Sequence, residues 1–235
     1  MQYMKNILVC TALYHSRPEW LEKSITSIMN QTHKDFECWL IKDGCEEAAR
    51  FQPSWSEKAC LECKICEMNE KFCKNIVKED KRFKYFVLPL NCAKGGWGPR
   101  NFCVMNSEHD LISYIDDDNW VEPNHLEALY NSIITNNSEW AFTGTKMYDG
   151  DCNYMSTRLN LTGPACYQLD TSEIMHHRHL VKKYGGWRSE YACINDWDLV
   201  QRWMADNVTW SHTGEVTLNF RYRAPGATPR TTFSL

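Results

Sequence analysis

No run of about 18 apolar residues occurs anywhere in this 235-residue chain, so nothing in it reads as a bilayer-spanning helix. The N-terminus also lacks a basic stretch followed by a signal-type apolar core. These two absences lead to the expectation of a soluble, cytoplasmic protein, in which the 12 cysteines are reduced thiols or metal ligands rather than disulfides. Basic residues are in deficit, 26 Lys and Arg against 30 Asp and Glu, and form no dense face, which argues against nucleic acid as a main partner. No sustained heptad pattern marks an association segment. Aromatics, by contrast, are plentiful: 10 Trp and 11 Tyr suggest aromatic-lined clefts beside ordinary core packing.

The chain is long enough to bury a substantial core, and one domain over residues 1–235 is the simplest division. Lys5 to Leu13 is an apolar β-like run, followed by Ser16 and Pro18, a capping residue and a helix-start proline. Leu21, Ile25, Ile28 and Met29 recur at helical spacing, and Phe36 to Ile41 reads as a second strand ending at Asp43-Gly44. A third strand, Phe83 to Leu88, precedes the loop Lys94-Gly95-Gly96-Trp97-Gly98-Pro99 and a helix carrying Phe102 and Met105. Pro123 opens a helix with Leu126, Leu129, Tyr130, Ile133 and Ile134 on one face. This alternation predicts a Rossmann-like, mostly parallel α/β sheet flanked by helices, with its ligand at the carboxyl ends of the strands. Further on, Trp140 to Met147, Ala165 to Leu169 and Val216 to Tyr222 read as strands, and Ile174 to Tyr184 and Asp196 to Ala205 as helices.

The most informative segment is Leu111 to Asp118, a β-rich apolar run that stops in three consecutive carboxylates, Asp116, Asp117 and Asp118. Three like charges at a strand end repel one another unless a cation joins them. Hard cations such as Mg²⁺ or Mn²⁺ take carboxylate oxygens and leave positions for ligand phosphates, so the triplet suggests a site for a phosphorylated substrate; a solvated Asp-rich turn is the alternative.

The landmarks Tyr14, Ser27 to Thr32, Ile41 to Gly44, Asn91, the glycine-rich loop with Arg100-Asn101, Tyr114 to Trp120, Gly185-Gly186-Trp187 and Asn195 to Leu199 together resemble the family 2 inverting glycosyltransferases, which have the GT-A fold. The resemblance implies transfer of a sugar, expected from a uridine diphosphate donor, to a hydroxyl of a glycan or other acceptor, assisted by Mn²⁺ or Mg²⁺. Residue by residue it implies Asp196 as the catalytic base and Asp118, with Asp116, as metal ligands. Thr11, Leu13, Tyr14, Asp43, Arg100, Asp116 and Asp117 then bind the nucleotide, and Trp187 and Asn195 lie on the acceptor side, Trp187 reading either as a platform that stacks on an acceptor sugar or as packing beneath the helix. At the start of a helix Asp196 should ionise readily, whereas burial should raise its pKa, and the sequence does not decide between the two.

The chain departs from the family pattern in several places. Lys42 stands where many members carry Asp, Cys45 replaces the usual Ser, and Asn195 replaces a Glu. Pro225 replaces a His, for which His212 or the cluster His176-His177-Arg178-His179 are candidate substitutes. An insertion at about 45–80 holds Cys60, Cys63, Cys66 and Cys73, which read either as a structural Zn²⁺ site or as thiols on a plain helix, Glu57 to Lys78 being rich in helix formers. The tail at about 221–235, with Arg221 and Arg230, reads as a mobile cationic lid or as a disordered end. Two other classes stay open: a degenerate GT-A fold serving as a glycan-binding or interaction module, and a nucleotidyltransferase, although Thr11 to Pro18 lacks the basic glycine-rich signature of the latter.

Overall fold

The unbroken apolar run Ile7–Leu13 forms strand β1, buried along nearly its whole length. Its residues alternate between two cores. Ile7 and Val9 face helices α1 (Pro18–Met29) and α4 (His125–Asn136), while Leu8 and Cys10 face α3 (Trp97–Asn106) and α6 (Asn195–Ala205). A strand apolar on both faces is what a sheet covered by helices on both sides requires. The computed structural model describes residues 6–14, 16–44, 57–89, 95–166, 168–191 and 194–222, with 57–63 and 191 by backbone alone.

β1 pairs in parallel with β2 (Phe36–Lys42) on one side and β4 (Leu111–Tyr114) on the other, and β3 (Phe83–Val87) extends β2 in parallel. These four strands are the parallel half the alternation predicts. The sheet runs β3-β2-β1-β4-β8-β6-β9-β5, with β7 (Tyr154–Arg158) paired to β6 (Trp140–Tyr148). Its second half is mixed. β8 (Ile174–His177) lies antiparallel to both β4 and β6, β9 (Trp210–Arg221) is parallel to β6, and β5 (Trp120–Val121) is antiparallel to β9.

Two expectations for this half are corrected. Ile174 to Tyr184 is not one helix but β8 followed by α5 (Arg178–Tyr184). Ile174 and Met175 point into opposite cores, a period of two that a four-residue buried strand is too short to display against a helix. The described residues of the stretch 165–169 form no strand, and a capped 3₁₀ turn, Thr171–Glu173, follows. On α3, Phe102 packs against the core while Met105 is 71% exposed.

The cysteine-rich segment is the continuous helix α2, Glu57–Glu79. Cys60 and Cys73 are thirteen residues apart on it, about 20 Å at the usual helical rise, so the four cysteines cannot close on one Zn²⁺. Cys73 is instead fully buried against the sheet beside Cys38, and burial pushes its thiol up to about 12. Asn91, Cys45, Pro225, the side chains of Cys60 and Cys63, and the tail beyond Tyr222 lie outside the described residues. No helix among the described residues is long and apolar enough to cross a membrane.

Candidate functional site

The carboxyl ends of β1, β2 and β4 meet at one cleft of about 190 Å³. β1 delivers Leu13 and Tyr14, β2 delivers Asp43, and β4 runs into Asp116, Asp117 and Asp118; the Gly95-Gly96 turn and Arg100 close the other side. All but one of the nucleotide contacts implied by sequence thus line one space. The exception is Thr11, which is fully buried beneath the cleft with its Oγ1 4.0 Å from Cys38 Sγ. Thr11 lies two residues before the end of β1 on the same face as Leu13, and its full burial below the mouth of the cleft keeps its side chain from lining that space.

The acidic loop is held from several sides. Ser24 Oγ donates to the Asp116 carbonyl at 3.0 Å, and Asp116 N–H donates to Ser172 Oγ at 3.2 Å. Asp117 Oδ2 accepts the Tyr14 amide at 2.8 Å, tying the end of β4 to the end of β1. Asn119 donates to Ser172 Oγ at 3.2 Å and accepts the Arg221 amide at 3.0 Å. Arg221 also donates through Nε to the Asp118 carbonyl at 3.2 Å and stacks over Trp20 at 4.3 Å. At 2% exposure Arg221 is the end of a strand and part of this scaffold, not the first residue of a lid.

Arg100 is the buried cation of the site. Its Nη2 donates to Asp116 Oδ1 at 2.7 Å and its Nη1 to the Gly95 carbonyl at 2.5 Å, and its guanidinium stacks on Trp187 at 4.8 Å. Burial works against its charge, but the Asp116 carboxylate and the hydrogen bond to it prevail and hold the guanidinium cationic. Gly96 has φ +71, and a Cβ there would press on Ala12 Cβ at 3.2 Å, so the turn can pass the end of β1 this closely only as glycine. Asn195 Nδ2 donates to the same Gly95 carbonyl at 3.0 Å, fastening the start of α6 to the turn. That contact and its 5% exposure make Asn195 a brace for the loop rather than an acceptor contact.

Asp196 follows at the first turn of α6, where its Oδ1 accepts the Trp197 amide at 2.7 Å. The balance left open by the sequence falls on the side of burial, which pushes its carboxyl above the ordinary aspartate range; the Trp197 amide and the Arg100 charge pull the other way and Asp116 adds to the rise. Asp170 was not foreseen. It caps the 3₁₀ turn, accepting the Ser172 amide at 2.8 Å, and enclosure raises its carboxyl, with Asp116, Asp196 and Glu173 acting in the same sense. The pattern Asp170-x-x-Glu173 is a capping box legible in sequence, but its nearness to Asp116 and Asp196 is a product of the chain fold.

The segment Gly185-Gly186-Trp187 is a structural clamp. Asn101 Nδ2 donates to the Trp187 carbonyl and Asn101 Oδ1 accepts the Trp187 amide, both at 2.9 Å. Arg202 donates to the carbonyls of Tyr184, Gly185 and Gly186 while pairing at 2.9 Å with Asp198, which is 1% exposed. Trp187 is therefore not a sugar platform: 3% exposed, it sets its ring edge-on to Tyr114 and its indole N–H on the Tyr114 hydroxyl at 3.3 Å. A Cβ on residue 186 would overlap Asn101 Oδ1. Gly186→Ala is expected to cost about 1–3 kcal/mol of stability, as overpacking of a tight contact does, read as a lowered urea midpoint at unchanged slope.

The candidate replacement histidines lie away from the cleft. His176 is fully buried, within 2.8 Å of the Tyr114 hydroxyl, and burial lowers its ring to about 4. His212 accepts the Gly214 amide at 2.8 Å and packs edge-on to Phe142, and His179 pairs with Glu139 at 3.0 Å.

The family profile described as "Glycosyl transferase family 2" matches residues 67–191. The "O-antigen biosynthesis glycosyltransferase WbnJ" of Escherichia coli is 24% identical over 224 residues, covering 88% of this chain and 76% of that protein. An uncharacterized glycosyltransferase of Rickettsia bellii is 30% identical over 61% of this chain but only 17% of its own length. Among solved structures, S. aureus TarS 1–349 in complex with UDP superposes with a TM-score of 0.67 at 13% identity over 92% of this chain and 60% of that one. The same TarS segment in complex with UDP-GlcNAc gives 0.67 at 14% identity over 94% of this chain and 59% of that one. The chain thus spans about three-fifths of the TarS segment, and the likeness shows the fold, which is GT-A. With that fold, and with the family profile matched over more than half of its residues, the chain belongs to glycosyl transferase family 2.

Proposed function

We propose that the chain moves a sugar from a uridine diphosphate donor to a hydroxyl of a saccharide or other acceptor, with inversion at the anomeric carbon and with help from a divalent cation. The observation that carries this reading is the single cleft in which Asp43, Tyr14 and the Asp116–Asp118 loop converge, with the raised carboxyl of Asp196 held beside it by the Asn195–Gly95 bond. The structurally similar TarS is seen in complex with UDP and with UDP-GlcNAc, and the E. coli relative is an O-antigen biosynthesis glycosyltransferase, which supports a saccharide acceptor.

The residues present suit a hard cation. Carboxylate oxygens of Asp118 and Asp116 are the donors offered, and among the described residues no three acidic, His or Cys side chains form a metal-holding group. A cation there would take one or two protein oxygens and complete its shell with water and diphosphate, the mode Mg²⁺ and Mn²⁺ use in phosphate sites. When bound, such an ion supplies Lewis-acid stabilisation of the charge on the departing diphosphate. The chain itself does the rest. Asp196 takes the proton of the acceptor hydroxyl as that oxygen bonds to the anomeric carbon, and the bond from that carbon to the diphosphate oxygen breaks on the opposite face. Arg100 holds Asp116 and the Gly95 turn in place, so the donor meets a preorganised wall.

Isothermal titration of the chain with UDP, with and without Mn²⁺, tests the reading. Binding that strengthens at least about tenfold with the cation is expected, and Asp118→Ala should abolish that gain. Absence of binding under both conditions would overturn the proposal.

A further inference from the structure

Each aspartate of the acidic loop is approached by a different segment. Arg100 reaches the Asp116 side chain at 2.7 Å, and the Tyr14 amide reaches the Asp117 side chain at 2.8 Å. Asp118 is met from behind, through its main chain, where Arg221 Nε donates to its carbonyl oxygen at 3.2 Å. The next residue returns the contact, because Asn119 Oδ1 accepts the Arg221 amide at 3.0 Å. The two bonds close a clasp between the loop after β4 and the last residue of β9, 103 positions on in sequence.

The guanidinium is locked in that role. It lies 4.3 Å from the Trp20 ring centroid and 5.3 Å from that of Trp120, so an indole from α1 and one from β5 flank it. Its Nη1 donates to the Gly150 carbonyl at 3.4 Å and to Cys152 Sγ at 2.7 Å. Among the described residues its side-chain bonds thus go to two carbonyls and a sulfur, with no carboxylate, and at 2% exposure it offers no face to a ligand. An apolar side chain would fill the space between two indoles without the desolvation cost of a charge, so what calls for a guanidinium here is the group it holds.

The other side of the loop is pinned at the Asp116 carbonyl, which accepts from Ser24 Oγ at 3.0 Å and from the Asn119 amide at 3.2 Å. Asp118 sits between the two pins. Fixing the peptide groups around a residue fixes where its Cα–Cβ bond aims, and such outer hydrogen bonds orient the side chains that bind metal.

We infer that Arg221 is a positioning residue for Asp118: it touches neither donor nor cation, and its bond to the Asp118 carbonyl aims that carboxylate at the cation that bridges protein and diphosphate. The inference rests on the cation-assisted donor reading above and adds to it a residue that does not line the cleft. A carboxylate already aimed loses little conformational freedom when the cation arrives, so Arg221 governs the part of donor affinity that depends on the cation.

Calorimetric titration of the full chain with UDP, with and without Mn²⁺, separates this role from plain scaffolding. The wild type should gain at least about tenfold in affinity from the cation. In Arg221→Met that gain should fall below about threefold, while affinity without the cation stays within about threefold of wild type. Arg82→Met is the reference for a loss of stability alone. Arg82 stacks over Phe36 and donates to the Met29 carbonyl just before the amino end of β3, so its removal should lower the melting temperature and leave the gain intact. An Arg221→Met protein that keeps the full gain overturns the inference. One that loses affinity equally with and without Mn²⁺ overturns it too, since that pattern marks general damage to the cleft. A wild type that binds no UDP, or gains nothing from Mn²⁺, instead sinks the cation-assisted reading beneath it. Should a thermal melt show Arg221→Met unfolded, Arg221→Lys, which keeps a cation between the indoles but places a methylene where Nε stands, runs through the same titrations with the same outcomes.

Discussion

Asp196→Asn is expected to lower sugar transfer by about 10²–10⁴-fold while leaving UDP affinity within a few-fold of wild type, because the amide keeps the shape of the side chain but cannot take a proton. The Trp197 N–H to Oδ1 bond can persist in the variant, so the α6 N-terminus keeps its place and the effect falls on kcat. As the proposed base, the same residue should set the acid limb of the pH profile. A base works in its deprotonated form, and burial has raised the Asp196 carboxyl above the usual aspartate range. Transfer should therefore fall, as pH is lowered, at a higher pH than an exposed aspartate would give. Steady-state kcat measured across pH with saturating donor and acceptor checks both statements; a variant with unaltered kcat would move the base elsewhere, with Asp170 the next carboxyl to test.

Arg100→Met is the second large effect. The substitution removes the cation from a buried pair, leaving the Asp116 carboxylate without the Arg100 donor and the Gly95 carbonyl with Asn195 alone. Losing one partner of a buried pair costs about 3–5 kcal/mol, and the lower end applies here because the Asp116 side chain retains 24% exposure and can rehydrate. The variant should unfold at a lower urea concentration with an unchanged slope. The combined variant Arg100→Met with Asp116→Asn should recover part of the stability, since it no longer strands a charge, without recovering donor binding. Additive losses in the pair would mean that the two side chains are not coupled as their 2.7 Å contact implies.

The contrast between these two residues shows where reading from sequence stops. Asp196 stands in a local pattern with Trp197 and Asp198, and its candidate role follows from that pattern. The partner of Arg100, by contrast, lies 16 residues on, across a strand. Trp187 and Asn195 were placed on the acceptor side because their neighbours in sequence suggested it. Their burial, and their bonds to Tyr114 and Gly95, come from packing between elements far apart in the chain. Thr11 shows the same limit at one-residue scale. It shares a strand face with the cleft residue Leu13, yet it sits one step deeper and its side chain is fully enclosed.

Local chemistry determines the parallel β-α half and the acidic loop after β4, because long apolar runs, helical periodicity and Asp- or Gly-terminated strands are short-range signals, while the family follows from the resemblance of its ordered motifs. The antiparallel insertion of β8, the rise in the Asp196 carboxyl, the cation role of Arg100 and the clasp of Arg221 on the Asp118 loop were decided only by tertiary structure. Each depends on desolvation or on a partner supplied by a distant segment, and neither acts on a residue until the chain has closed around it.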